Sequence, residues 1–237
     1  MSRSATTGLG RRRALALTAV GVLGAFVVIP HLLQHLDQFL ATGLIVALAA
    51  TAGARFASRT GLATPIIDAA LMRQTFARRV PSTVPLAIAL GVIGSLAVVV
   101  LDVLVFAPLT PETKAIATPP LWTGALAAVY GGLTEEIVLR YGAMSLLAWL
   151  CLKFVPGPAA YWAAIVGASL VFGVVHLPPS AAVLSLTPVL ITRTIVLNGL
   201  AGVAFGWLYW RRGLEAAMVS HGVAALILHV TVPAIGV

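Results

Sequence analysis

A chain of 237 residues that is 60% hydrophobic and 9% charged, with mean hydropathy +1.03, lacks the charge to cover a soluble globule, for which about 25% is usual. Its formal net charge of +8 does not point to nucleic acid, because the basic residues sit in short clusters between apolar runs, as membrane topology requires. One cysteine, Cys151, excludes an internal disulfide and argues against a zinc–thiolate cluster. The predicted fold class is therefore all-α, a polytopic membrane helical bundle.

Seven apolar runs follow in chain order: 14–33, 38–54, 84–107, 121–152, 159–177, 188–210 and 213–233. Most fall within or near the ~17–25 residues that cross a bilayer as helix. The first opens GRRRALALTAVGVLGAF, a signal-peptide pattern. It continues to Leu33 without a small-residue cleavage site, which favours an uncleaved first helix. Residues 55–83 form the longest polar stretch, a basic loop whose AALMRQTFARRV is a candidate helix on the membrane surface. The fourth run is too long for its task. Its 32 residues would rise ~48 Å as α-helix against a hydrocarbon core of ~30 Å, so it must tilt, bend or protrude. Residues 1–120 thus hold three helices and the basic loop, 121–233 hold a core with the polar motifs, and 234–237 form a short tail. A cytoplasmic N-terminus puts 12 of the 15 Lys and Arg on the cytoplasmic side, which predicts an N-in, C-out protein of a bacterial-type plasma membrane.

Ionisable residues within such runs are expensive and mark function by default. Glu135, Glu136 and Arg140 lie in the fourth run, Arg193 in the sixth, His176 at the end of the fifth, and His221 and His229 in the seventh. Asp102 falls near the outer end of the third. Glu136 and Arg140 are i and i+4 on one helix face, hence an internally neutralised structural pair. Glu135 is rotated ~100° away. Without a cation, burial would raise its pKa and suit it to general acid–base work. Depth brings partners to it. Glu135 lies 14 residues below the outer end of its run and His221 lies 12 below Pro233, rises of ~21 and ~18 Å. His176 and Glu135 are each 17 residues from the cytoplasmic ends of their runs. Glu135, His176 and His221 are therefore expected to converge inside the bilayer. His229 reads as a packing residue one turn from a helix end, and Arg193 as a side chain snorkelling to the interface. The glycines of NGLAGVAFG (198–206) read as close-packing positions.

These residues resemble the CAAX-protease and bacteriocin-processing family of intramembrane proteases. Glu135-Glu136-Ile-Val-Leu-Arg140 matches that family's Glu-Glu-x-x-x-Arg, Phe172-Gly-Val-Val-His176 its Phe-x-x-x-His, and GVAFGWLYWRRGLEAAMVSHG (202–222) its glycine-bearing helix, turn and histidine helix. The resemblance covers about 121–233 and implies peptide-bond hydrolysis within the membrane. By it, Glu135 with His176 would activate water, His221 would stabilise the oxyanion, and Glu136 with Arg140 would hold the helix in place. It leaves open whether a divalent metal such as zinc takes part on Glu135, His176 and His221, a plausible three-ligand set. The expected partners are a membrane protein or peptide substrate and the lipid bilayer, with no nucleic acid. One position departs from the pattern. Four residues after His221 the family carries Asn or Asp, and here stands Ala225. Asn198 or Arg193 on the preceding helix is the candidate substitute. Ala225 supports a second reading, a catalytically impaired membrane scaffold of the same family. A proton-coupled transporter is a third, since such relays also use intramembrane Glu, His and Arg, although the chain shows no inverted repeat.

Overall fold

The computed structural model describes residues 3–28, 35–74, 80–116 and 119–236, and all regular structure among them is helical. The end of the first apolar run (29–33), the middle of the basic loop (75–79, with Arg78 and Arg79) and the last residue of the tail lie outside the described residues.

Helix α1 is Arg3–Val28, α2 Leu36–Thr60 and α3 the short Pro65–Leu71. Helix α4, Val80–Leu101, continues through a π turn at Asp102–Phe106. A long rod follows. It begins as α5 (Leu121–Tyr130), passes through π-helical Gly131–Glu135 and Ile137–Met144, and ends as α6 (Ser145–Cys151). Then come α7 (Pro158–Val175), α8 (Leu177–Ala181), α9 (Pro188–Arg212) and α10 (Leu214–Leu226), the last extended by a π turn at Ile227–Thr231 and by α11 (Val232–Ala234). Five stretches are long and apolar enough to cross a membrane: Leu36–Thr60, Thr83–Phe106, Pro158–Ala181, Pro188–Arg212 and Leu214–Ala234. The protein is an integral membrane protein. The fourth apolar run is not one regular α-helix: two π segments interrupt it at its centre.

Proline and glycine set the boundaries. Pro65, Pro158 and Pro188 open α3, α7 and α9 at first-turn positions, where a missing N–H costs nothing. Thr187 caps α9 by accepting from the Leu190 N–H at 3.2 Å. Gly213 alone joins α9 to α10 at φ 102°, and a Cβ there would run into the Pro65 ring. That corner is tied to the segment after α2: the Leu214 N–H donates to the Ala63 carbonyl at 3.0 Å. Glu215 Oε1 accepts from the Ile66 and Ile67 N–H groups at 2.9 and 2.8 Å, capping α3. Arg13 completes the joint with Asp68 at 2.7 Å. Of the expected surface helix over AALMRQTFARRV, residues 75–79 lie outside the described residues. Helix α3 starts earlier, is pinned to the bundle, and ends at Leu71 before Arg73 turns to φ 54°.

Large apolar side chains such as Leu15, Leu44, Leu48, Ile93, Leu104 and Leu170 face outward, and alanines such as Ala50, Ala87, Ala164, Ala168 and Ala217 fill the interior. Lipid gives no hydrophobic drive between helices, so close approach through small residues holds them together. Helices α7 and α9 show this best. A Cβ on Gly173 would stand 2.7 Å from the Ile195 Cα and carbonyl oxygen, and one on Gly206 3.1 Å from Ile165. Gly173→Ala should therefore force the two helices apart and destabilise by about 1–3 kcal/mol, the usual range for overpacking. Gly199→Ala, whose Cβ would meet only the Ser169 oxygen at 3.7 Å, should be neutral or stabilising by up to ~1 kcal/mol. Thermal unfolding of both variants in one detergent checks the contrast; equal midpoints would refute it.

Candidate active site

The rod loses α-helical form at the segment that carries its charges. Single π insertions recur at functional sites because they redirect side chains along a helix. Here the insertion begins at Gly131 and Gly132, where the rod meets α10. A Cβ on Gly131 would lie 2.8 Å from His221 Nε2, so glycine leaves room for the imidazole. Two residues on, Thr134 Oγ1 donates to the Gly21 carbonyl of α1 at 2.8 Å and fixes the rod's other side.

Glu136 and Arg140 pair as their spacing requires, Oε1 to Nη1 at 3.0 Å, both fully buried. The arginine also donates from Nη2 to the Gly202 carbonyl of α9 at 3.1 Å. Its guanidinium lies 4.6 Å from the ring centre of Phe172 on α7 and 5.3 Å from that of Phe205 on α9. One cation thus ties the rod to two neighbours through charge, hydrogen bond and aromatic faces.

Glu136 has a second partner that the sequence did not reveal. The same Oε1 accepts from His221 Nδ1 at 2.8 Å. A carboxylate can only accept, so Nδ1 carries the proton and Nε2 is the free nitrogen. That nitrogen faces Glu135 Oε2 at 3.6 Å. The ring is held flat by Phe205, stacked at 4.5 Å and 14°, and from the edge by Phe172 at 5.5 Å. Glu135 and Glu136, expected on different faces with different tasks, both address one imidazole. The π register and the two nitrogens of the ring allow it.

His176 is the residue after α7, where Pro178 and Pro179 stop the helix. Its Nδ1 lies 2.8 Å from the Phe172 carbonyl oxygen, which again fixes the proton on Nδ1 and leaves Nε2 bare. Glu135, His176 and His221 line one cavity of about 320 Å³, together with Tyr130, Arg193, Asn198, Ala225 and His229. Glu135, His176 and Tyr130 also line a second, more apolar cavity of about 310 Å³ bounded by Thr42, Ile45, Val138 and Val175.

Three placements differ from expectation or add to it. Arg193, expected to reach toward the interface, is paired. It forms a bidentate pair with Asp102, from Nε and Nη2 at 2.7 Å each, and lines the larger cavity. His229, expected as packing, faces that cavity as its third histidine; its eight-residue spacing from His221 on one helix was the available signal. Asn198 donates one amide hydrogen to the Thr194 carbonyl at 2.8 Å and keeps the other. Among the described residues, no three His, Cys, Asp or Glu side chains are grouped as a metal cage. His221 has one nitrogen on Glu136 and His176 has one on a carbonyl. Their bare Nε2 atoms, with Nδ1 oriented by a second partner as in metal-binding histidines, and Glu135 are the groups that would hold a divalent ion, although they are not drawn together as a cage here.

Carboxylates and imidazoles gathered inside a helical bundle are the groups that intramembrane enzymes and proton-handling proteins use. Residues 117–227 match the family model of the type II CAAX prenyl endopeptidase Rce1-like proteins. The match covers just under half of the chain, and at family level it points to membrane endopeptidase character for this segment. It runs from just before α5 to the π turn of α10 and contains every residue of the cavity's Glu–His centre. No curated protein and no solved structure matches the chain.

Removing one partner of a buried ion pair strands the other, at about 3–5 kcal/mol. Glu136→Ala and Arg140→Ala should each lower the thermal unfolding midpoint by that measure. Glu136→Leu combined with Arg140→Met should be more stable than either alanine variant, since it strands no charge. Single variants as stable as the parent would remove the pair from its structural role.

Proposed function

We propose that the protein is an intramembrane endopeptidase that hydrolyses a peptide bond of a membrane-associated protein or peptide, with Glu135 and His176 activating water and His221 holding the oxyanion. The supporting observation is the meeting of Glu135, His176 and His221, from three separate elements, at one cavity, with His221 oriented by a fully buried carboxylate. In this reading α1 and the rod also cross the bilayer, making seven spans with the N-terminus cytoplasmic.

The chemistry follows from the proton positions. Glu135 takes a proton from water as the oxygen attacks the scissile carbonyl, with the bare Nε2 of His176 as the second acceptor beside it. A carbonyl that becomes a tetrahedral oxyanion needs a donor. His221 supplies one from Nε2 when protonated, its Nδ1–H still held by Glu136. Before attack Glu135, Glu136, Arg140 and His221 carry two negative and two positive charges; once Glu135 holds the water proton, the oxyanion replaces it as the second negative charge, so the protonated ring stays compensated. The proton on Glu135 passes to the leaving amine as the carbon–nitrogen bond breaks. The two cavities meet at Glu135 and His176, so a substrate chain would run from one to the other across the scissile bond.

The scaffold reading rests on Ala225, which lines the same cavity and offers no donor. Arg193 Nη1 and the unused amide hydrogen of Asn198 are the groups there able to substitute. The test is cleavage of a membrane-anchored reporter by purified protein in liposomes. Glu135→Gln keeps shape and removes the base; it should abolish turnover while the variant stays folded. Near-parental turnover by that variant would sink the assignment.

Ala225→Asn tests the missing donor. Positions 221 and 225 share a face of α10, so an amide there stands beside the oxyanion position. A preorganised donor of this kind is worth on the order of 100-fold in rate. Initial cleavage should rise toward that figure in Ala225→Asn and vanish when Glu135→Gln is added. An unchanged rate in a folded Ala225→Asn would mean that Arg193 or Asn198 already fills the role.

A further inference from the structure

A third depression, about 560 Å³, lies in the groove between the first part of α1 and the last part of α2. Its floor is made of Gly10, Ala14 and Ala54, and its rim carries Arg11, Arg55 and Arg59. All three arginines are exposed, and among the described residues none forms a salt bridge. The acids at this end are engaged: Asp68 takes Arg13 and the Thr64 hydroxyl, and Glu215 caps α3. Three guanidinium groups around one depression repel one another at the edge of a low-dielectric body, and an anion between them removes that cost. Planar guanidinium forks match phosphate oxygens two at a time.

The groove also has a direction. On α2, Leu44, Leu48, Thr51 and Arg55 follow at spacings of 4, 3 and 4, which places them on one helix stripe. Leu44 and Leu48 are 60% and 62% exposed, and Leu15, one turn from Arg11 on α1, is 71% exposed. A cationic pocket thus leads into an apolar channel along the same two helices. A free inorganic anion would use only the first part; a molecule with an anionic head and long apolar chains would use both.

We propose that this groove is a binding site for an anionic phospholipid, with its phosphodiester on Arg11, Arg55 and Arg59 and an acyl chain along Leu15, Leu48 and Leu44. Small floor residues let the head sit between the helix backbones. The lipid clamps α1 to α2, and α1 in turn holds the rod through the Thr134–Gly21 bond. The site is independent of the Glu135 centre and of what that centre does.

The full chain, purified in detergent and offered phosphatidylglycerol, phosphatidylcholine or inorganic phosphate, tests the site by native mass spectrometry and thermal unfolding. One phosphatidylglycerol should be retained in preference to phosphatidylcholine and should raise the unfolding midpoint. Inorganic phosphate at millimolar concentration should neither displace it nor raise the midpoint. Each arginine near a membrane surface contributes about 5-fold in affinity. Arg11→Gln with Arg55→Gln and Arg59→Gln should therefore weaken retention on the order of 100-fold. Arg55→Gln alone, which keeps the rest of the site, should weaken it about 5-fold and serves if the triple variant does not fold. Parental retention in Arg55→Gln or the triple variant, equal retention of phosphatidylcholine, or equal stabilisation by inorganic phosphate would each overturn the proposal.

Discussion

The buried Glu136–Arg140 pair is the constraint around which the core is arranged. Two charges with no exposed surface can exist inside a membrane protein only if each is compensated on several sides. Arg140 meets this need with a carboxylate, the Gly202 carbonyl and the faces of Phe172 and Phe205. Those partners come from the rod, α7 and α9, so satisfying one cation fixes the relative position of three helices. A Cβ on Gly202 would crowd both Arg140 Nη2 and Ser169 Oγ, at 3.0 Å from each. The oxygen of Glu136 that pairs with Arg140 also accepts from His221, so a structural requirement sets the orientation of the imidazole.

Much of this was legible in the sequence because polar residues are scarce in it. With 9% charged residues, each charge within an apolar run stood out, and helical rise alone predicted that Glu135, His176 and His221 share a depth. The i, i+4 spacing was enough for Glu136 and Arg140. Local periodicity could not reveal the π register between Gly131 and Met144, which has no compositional signature and decides where both glutamates point. Nor could it pair Arg193 with Asp102, residues 91 apart in sequence that meet at 2.7 Å. A snorkelling arginine and an interfacial aspartate were the reasonable local readings. The bidentate pair forms because α4 and α9 run side by side, a fact of tertiary packing.

The same limit explains His229. On an isolated helix its position near the end marked it as packing. In the bundle the π turn at Ile227–Thr231 lies where α10 passes α5, and the backbone of His229 packs so closely that a Cβ on Gly124 could not be accommodated. Its ring is left on the cavity side with His176 and His221. Position 225, one turn before it, is the place where the family pattern supplies a polar side chain and this chain supplies a methyl group. The donors that remain around the cavity are therefore displaced along α10 to His229 and across to α9 at Arg193 and Asn198.

That displacement bears on what the cavity can recognise. A donor at position 225 would lie beside His221 and act on the reacting carbonyl itself. Arg193 is held by Asp102 through two of its nitrogens and presents the third, so it acts as a dipole more than as a free charge. Preorganised donors of this kind stabilise developing negative charge without having to reorient. Both members of the pair are partly exposed, so the pair is less rigidly enclosed than Glu136 and Arg140. The centre thus combines a rigid half, where buried charge fixes His221, with an adjustable half on α9 and the end of α10. In the proposed reaction, selectivity among substrates would belong to the second half, because its contacts alone can change without unmaking the bundle.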